Sequence, residues 1–344
     1  MSRPRSPRSI APALLITSAL LAILLGAAAL GVARSAGGSL DALVVTAAPL
    51  PASAASAVAP RITLPTLAAP TAPPAADEPL APVTVLLLGS DRRPGERAIP
   101  RTDAMIVVRV DPAAGRVAML SLPRDLWVPI PGHGENRISN AYLWGEREGP
   151  PGAGLALAGA TVSGLLGLPI DHIALVDLDG FAGLVDAVGG VTVDVAAELV
   201  DRRYPTMDYG TTTVRFRPGR QRLYGEAALA YARMRHPDSD FGRAERQQQI
   251  LLAIGERLRE RGHLANLLAA EQIAAALAGF AQTDMPRERI VALAWAMREL
   301  DAAAVERYAL GADDVSFGVG ADRFAQSARP GAIERLAARL LGAE

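Results

Sequence analysis

Arg233 and Arg235 stand one residue apart in the run Tyr231-Ala-Arg-Met-Arg235, just ahead of Asp240-Phe-Gly-Arg243-Ala-Glu-Arg246-Gln247. Three further Arg/Asp clusters lie upstream, each at the end of an apolar, strand-like run: Gly89-Ser-Asp91-Arg92-Arg93, Arg101-Thr-Asp103 and Leu122-Pro-Arg124-Asp125. Guanidinium groups grip phosphate oxygens with paired donors, and aspartates hold a hard cation that phosphates share. Arginine placed repeatedly at strand ends beside aspartate reads as machinery for a pyrophosphate.

Asp91 follows the first apolar run and Asp103 precedes the second, so the two carboxylates can meet at one sheet edge across the loop Arg92–Thr102. Two carboxylates with diphosphate oxygens and waters suit Mg²⁺, which seldom receives an all-protein cage. Two solvated loop aspartates, or one that caps a turn, is the plainer alternative. Arg101 and Arg124 flank the same edge. Arg233 and Arg235 share a face if their segment is extended and diverge if a helix continues through them. Arg243 and Gln247, four apart, share a helix face, and a first helical turn at Arg243 also offers free N–H groups to an anion. Arg246 falls on an adjacent face and is expected in solvent.

Other chemistries find no support. His133, His172, His236 and His263 lack metal-ligand spacing, and neither a G-x-S-x-G elbow nor a GxxxxGK[ST] loop occurs. Cysteine is absent, which excludes disulfides, thiolate metal sites and a cysteine nucleophile. A formal net charge of −1 gives no basic field for nucleic acid. Trp127, Tyr142 and Trp144 suit core packing better than a sugar or lipid site.

The elements that must position these residues begin at Val83. Val83–Leu88 is a continuous apolar run, expected as a strand buried on both faces. Ala104–Val110 and Arg116–Leu122 flank Asp111-Pro-Ala-Ala-Gly115 as a hairpin, and Ile173–Asp177, Val191–Val195 and Thr212–Phe216 add shorter strands. Helices are expected after a cap at Asp179, then at Gly225–Arg233, Arg243–Arg261, Ala265–Phe280 and Pro286–Leu300. Strands mixed with helices, including a hairpin, predict an α/β fold with a mixed central sheet sandwiched between helices.

The N-terminus sets the compartment. Arg3, Arg5 and Arg8 lie in a basic segment 1–9, ahead of the charge-free stretch Ile10–Val32. At about 1.5 Å per residue that stretch reaches roughly 34 Å, enough to span a bilayer as an N-terminal transmembrane helix. The basic flank places the N-terminus in the cytoplasm and the rest outside. A cleaved signal peptide is the competing reading, with small residues around Val32-Ala-Arg-Ser-Ala36, although its apolar core usually runs only about 7–15 residues. Residues 33–82, Pro- and Ala-rich, read as an extended tether. One domain, 83–344, follows.

These motifs resemble the LytR-CpsA-Psr family of cell-wall phosphotransferases: LLLGSD, RTD, LSLPRD, Arg137-Ile-Ser-Asn-Ala-Tyr142, IDHIALVDLDGF, VDAVGGV, GEAALAYARMR and DFGRAERQQQ occur in order. The resemblance covers residues 83–255; residues 256–344 read as an Ala-rich helical remainder. It implies an apolar pocket for a polyprenyl tail beside the sheet. It also implies a polyprenyl-pyrophosphate-linked glycan as donor and peptidoglycan as acceptor at a membrane. By the same resemblance, Asp91 and Asp103 would hold Mg²⁺ (Mn²⁺ being the alternative), with Arg101 and Arg124 beside them in the catalytic group. Arg101, Arg124, Arg137, Arg233, Arg235, Arg243 and Gln247 would bind the pyrophosphate. Arg137 stands where the family often has lysine, and RTDA replaces the commoner RTDT or RSDT. The expected activity is transfer of a glycan phosphate to a peptidoglycan hydroxyl. The alternatives are hydrolysis of the same anhydride and non-catalytic binding of polyprenyl phosphate lipids.

Overall fold

The computed structural model describes residues 80–92, 99–206, 208, 210–235, 239–296 and 305–343. The expected membrane span Ile10–Val32 and the tether as far as residue 79 lie outside the described residues, as do Arg93 and His236. Among the described residues no helix is long and apolar enough to cross a membrane.

The core is a six-stranded mixed sheet. Strand β1 (Val83–Ser90) runs antiparallel to β2 (Thr102–Asp111), which forms a hairpin with β3 (Arg116–Ser121). The hairpin turn is closed by the Asp111 carboxylate, which accepts from Ala114 N at 3.0 Å, and by Gly115 at φ 59°. After the small hairpin β4 (Trp127–Ile130) and β5 (Gly134–Arg137), helices α1 (Asn140–Glu148) and α2 (Ala153–Leu166) lead into β6 (His172–Val176), parallel to β1. Helix α3 (Leu178–Ala187), β7 (Val191–Val195), the hairpin β8 (Leu199–Pro205) and β9 (Thr211–Phe216), β10 (Gly219–Leu223) and α4 (Gly225–Arg233) follow. The long α5 (Asp240–Leu277) breaks at Gly262 (φ 75°, ψ 167°), between the two helical segments that the sequence predicts. Then come β11 (Ala281–Thr283), α6 (Arg287–Ala296), β12 (Val305–Ala309), the hairpin β13 (Val315–Val319) and β14 (Asp322–Ala328), and α7 (Ala332–Leu341). The sheet order is β11-β6-β1-β2-β3-β12.

Period-two alternation divides the strands between two cores. Leu86, Leu88, Met105 and Val107 pack with Ala141, Leu155 and Leu336, on the side of α1, α2 and α7. Val85, Leu87, Ile106 and Val108 pack with Leu251, Ile290 and Leu293, on the side of α5 and α6. A third cluster joins α3, α4 and α5 with β7 and β10 through Leu184, Val191, Leu223 and Ile254. Helices therefore cover both faces of the mixed sheet.

Three expectations need correction. Asp177, not Asp179, caps α3: its backbone is extended and its side chain accepts from Gly180 N at 3.0 Å. Residues 256–344 are not a helical remainder, since they supply β11 and β12, the two edges of the central sheet, and the β13–β14 hairpin. Edge strands this short, with one partner each, leave little alternation to read. Arg246, expected in solvent, is only 5% exposed.

Candidate active site

The site forms where β1 and β2 end together. Their register runs Leu88↔Met105 and Gly89↔Ala104, then shifts so that Ser90 faces Thr102. The bulge re-aims Asp103, which sits in β2 rather than before it, and brings it to the edge where Asp91 leaves β1. Gly89 allows this approach, because a Cβ there would meet the Ala104 Cβ at 3.0 Å. Beyond β3, Arg124 donates through Nη1 to Asp103 Oδ1 at 2.6 Å.

Helix α4 supplies the second arginine pair. Arg233 is its last residue and donates through Nη2 to Asp91 Oδ1 at 2.6 Å and through Nη1 to the Tyr204 hydroxyl at 3.3 Å. Met234 then turns out of the helix (ψ 137°) with its side chain fully buried. The helix thus ends between the two arginines, and Arg235 reaches Asp240 with Nε at 2.8 Å and Nη2 at 3.3 Å. Ser239 caps α5 by accepting from Gly242 N at 3.2 Å. Arg243, in the first turn, is 5% exposed, and its acceptors are poor: the Asp103 carbonyl at 3.4 Å and Asp240 Oδ1 at 3.6 Å. Gln247 follows one turn later and donates to the Ala232 carbonyl at 3.4 Å.

These side chains close one end of a cavity of about 360 Å³. Its walls are apolar, with Leu87, Ile106, Val176, Phe181, Leu229 and Leu251 among them. Its charged end carries five arginines, Arg124, Arg203, Arg233, Arg235 and Arg243, and the aspartates Asp91, Asp103, Asp177 and Asp201. Leu251 joins the lining, whereas Leu155, Leu157 and Val162 of α2 pack in the core on the other face of the sheet.

Burial and charge act in opposition on the arginines. Burial lowers the Arg243 pKa more than Asp240 and Asp103 restore it. At Arg124 burial is also the largest single influence, but Asp103 and Asp125 together outweigh it and the net shift is upward. Burial likewise raises Asp177 against its hydrogen bond from Gly180, and raises Tyr204 against the nearby Arg233. A buried guanidinium with weak acceptors beside an apolar chamber suits an anion that carries a greasy tail. Among the described residues no three His, Cys, Asp or Glu side chains gather as a metal site. Asp91 and Asp103 fit a divalent ion only if substrate oxygens and water complete its shell, the usual situation for Mg²⁺.

Two sequence candidates are not among the residues that line the cavity. Arg101 is exposed and is not among the cavity-lining residues. Arg137 is occupied elsewhere, forked onto Asp322 at 2.8 and 2.7 Å and bonded to Asp125 Oδ1 at 2.7 Å, so it ties β5 to β14. Arg246 donates to the carbonyls of Tyr231 at 2.9 Å and Met234 at 2.5 Å, which anchors the end of α4. Asp201, Arg203, Tyr204 and Asp240 escaped the sequence reading. Asp240 was visible as the start of DFGR, but nothing in its spacing distinguished a partner for Arg235 from a helix cap. Of the aromatics, Tyr142 is buried, which pushes its hydroxyl up to about 12, and Trp144 stacks on His133 with ring centroids 5.0 Å apart.

The LytR-CpsA-Psr family model matches residues 68–328. The chain belongs to that family. A teichoic acid transferase TagU of Oceanobacillus iheyensis, named as acting between polyisoprenyl-teichoic acid and peptidoglycan, is 35% identical over 61% of this chain and 61% of its own length. The Bacillus subtilis TagV of the same naming is 35% identical over 54% of this chain and 46% of its own. This LytR-CpsA-Psr chain thus spans about three fifths or less of the length of these curated relatives. The crystal structure of B. subtilis TagV has a TM-score of 0.61 at 27% identity, covering 76% of this chain and 97% of that one. TagT bound to LI-WTA has a TM-score of 0.59 at 25% identity, covering 76% and 90%.

Proposed function

We propose that this protein is a membrane-anchored, extracytoplasmic phosphotransferase of the LytR-CpsA-Psr family. It moves a glycan phosphate from a polyprenyl-pyrophosphate carrier to a hydroxyl of peptidoglycan. The single observation that carries the reading is the cavity, an apolar chamber closed at one end by arginines that include the buried, weakly paired Arg243. A polyprenyl diphosphate has the matching form, an apolar tail ending in concentrated negative charge. The names of the TagU and TagV relatives point to the same class of donor and acceptor.

In this mechanism the chamber takes the tail and the arginines hold the diphosphate. Arg124 and Arg233 exchange part of their contact with Asp103 and Asp91 for phosphate oxygens, and Arg243 gains its first strong acceptor. The acceptor hydroxyl attacks the distal phosphorus, the anhydride P–O bond breaks, and polyprenyl phosphate leaves with the bond's electron pair. Arginines fixed before the reaction stabilise the charge that develops on the leaving phosphate, without reorganisation. Asp91 and Asp103, released by their arginines, are the carboxylates that would hold Mg²⁺, which when bound neutralises further phosphate charge. The hydroxyl proton passes to a carboxylate at this end.

The test is transfer of a radiolabelled polyprenyl-pyrophosphate glycan to peptidoglycan oligomers by the full chain, with Mg²⁺, with EDTA and with Asp103→Ala. Label on the oligomer, lost in the last two conditions, is expected. Free phosphorylated glycan would make the protein a hydrolase instead, and bound donor with no turnover would make it a lipid carrier.

A further inference from the structure

Apart from Arg203 at the charged end of the cavity, the transfer reading leaves unused a group of arginines on the β8–β9 hairpin and β10. The chain's formal net charge is −1, yet residues 199–222 carry Arg202, Arg203, Arg215, Arg217, Arg220 and Arg222 against only Asp201 and Asp208. All six arginines are exposed, whereas Asp201 is buried. The pleat explains the outward face: Arg215 and Arg217 flank the buried Phe216, and Arg222 precedes the buried Leu223. A register shift between Asp201 and Tyr204 places Arg202 and Arg203 in an irregular, exposed stretch of β8.

Two of the six are engaged within the protein. Arg215 meets Glu198 at 3.5 Å, and Arg222 donates to the Gly189 carbonyl and lies 5.7 Å over the ring of Tyr224. Among the described residues the guanidinium groups of Arg202, Arg203, Arg217 and Arg220 make no ion pair or hydrogen bond. The bonds that Arg203 and Arg217 make run through the backbone, Arg203 N to Asp201 Oδ1 at 2.9 Å and the Arg217 carbonyl from Gln221, and Asp194 is the register partner of Arg220. Arg203 and Pro205 line the cavity, so the basic face is continuous with its charged end. At about 3.4 Å per residue it extends roughly 14 Å from there along β9 to Arg217.

We propose that this face docks on an anionic phospholipid bilayer and sets the open, charged end of the cavity against the headgroup layer. The inference rests on the lipid-linked donor proposed above, because a polyprenyl tail must leave a bilayer to enter the chamber. Headgroup phosphates then lie at the level of the donor diphosphate, within reach of guanidinium groups that have no partner among the described residues. Tyr224, 56% exposed beside Arg222, has the amphipathic character of residues found at membrane interfaces. A bilayer fits better than a soluble polyanion because the face adjoins an opening that has to receive a lipid.

The absence of cysteine allows a single reporter site. A fluorophore on Thr213→Cys, on exposed β9, would be followed in the full chain on nanodiscs that contain brominated acyl chains. Ser316→Cys on β13 serves as the control position. Discs containing phosphatidylglycerol should quench the Thr213 label and spare the control. High salt, or the combined Arg202→Gln, Arg217→Gln and Arg220→Gln variant, should reduce the quenched fraction at least about tenfold. Equal quenching in pure phosphatidylcholine or in the triple variant would overturn the proposal. So would protection of the label by soluble poly(glycerol phosphate) with no response to lipid. Transfer from a short-chain donor in detergent, measured on the same proteins, separates the two readings. Transfer retained in the triple variant alongside lost quenching supports docking. Transfer absent in the wild type defeats the enzymatic reading, while quenching still judges the surface.

Discussion

Arginine–carboxylate contacts occur at both ends of the central sheet's hairpin, and they differ in what they leave unfinished. At the far end, Arg116 grips the Glu306 carboxylate with Nε and Nη2 and donates to the carbonyls of Leu340 at 2.9 Å and Arg339 at 2.6 Å. Glu306 takes a further hydrogen bond from Tyr308 at 2.9 Å. That cluster closes the C-terminus of α7 onto β3 and β12. At the cavity end, Arg243 is more deeply buried than Arg116 yet has only distant acceptors. Burying a guanidinium without good partners costs stability, so the fold tolerates at Arg243 what it avoids at Arg116. Between Arg116 and Arg243 residue type does not separate structure from binding; the number of satisfied donors does.

That contrast is tested first by Arg243→Ala. It should lower transfer about 10²–10³-fold in a radiolabel assay, the scale of losing one preorganised donor to a charged transition state. Thermal denaturation should show no loss of stability, and a large fall in Tm would place Arg243 with Arg116 as a structural residue. Asp103→Ala comes next. It frees Arg124 and removes one of the two proposed Mg²⁺ carboxylates, so transfer should fall at least about tenfold and stop responding to added Mg²⁺. A full Mg²⁺ response in that variant would remove Asp103 from the metal site. Arg116→Ala should do the reverse of Arg243→Ala, losing about 1–3 kcal/mol in urea unfolding with transfer per folded molecule unchanged.

The smallest effect concerns pH. Burial raises the folded-state pKa of Asp177, so the protonated form favours the native state. Its stabilising contribution is complete below the unfolded value of about 3.9 and is lost as pH rises through the folded pKa. Asp177→Asn keeps an acceptor for Gly180 N while removing the charge. Urea midpoints measured from pH 4 upward should therefore decline less in the variant, and parallel curves would refute the assignment.

The same contrast explains what the sequence could reveal. Strands β1, β2 and β6 were legible because burial on both faces makes them continuous apolar runs. The ends of β1 and β2 located Asp91 and Asp103, the end of β3 located Arg124, and residue spacing together with the family resemblance located Arg233, Arg235, Arg243 and Gln247. Arg137 looks identical to these in one dimension, and the helix face of Arg246 pointed to solvent rather than to its buried place. Their occupation depends on Asp322, far away in sequence, and on backbone carbonyls, which no motif advertises. The bulge that turns Asp103, and the hairpin that brings Arg203 and Tyr204 to the cavity, arise from strand register and were illegible for the same reason.

The central claim is that the arginine end holds a diphosphate while the chamber holds its tail. The most direct measurement is binding of a polyprenyl diphosphate and of the matching monophosphate to the full chain in detergent, for wild type and Arg243→Ala, with inorganic pyrophosphate as the tailless control. The account predicts that the wild type binds the lipid diphosphate at least about tenfold more tightly than either comparator, and that Arg243→Ala loses this preference while still binding the tail. Equal affinity for both lipids in wild type and variant would contradict it.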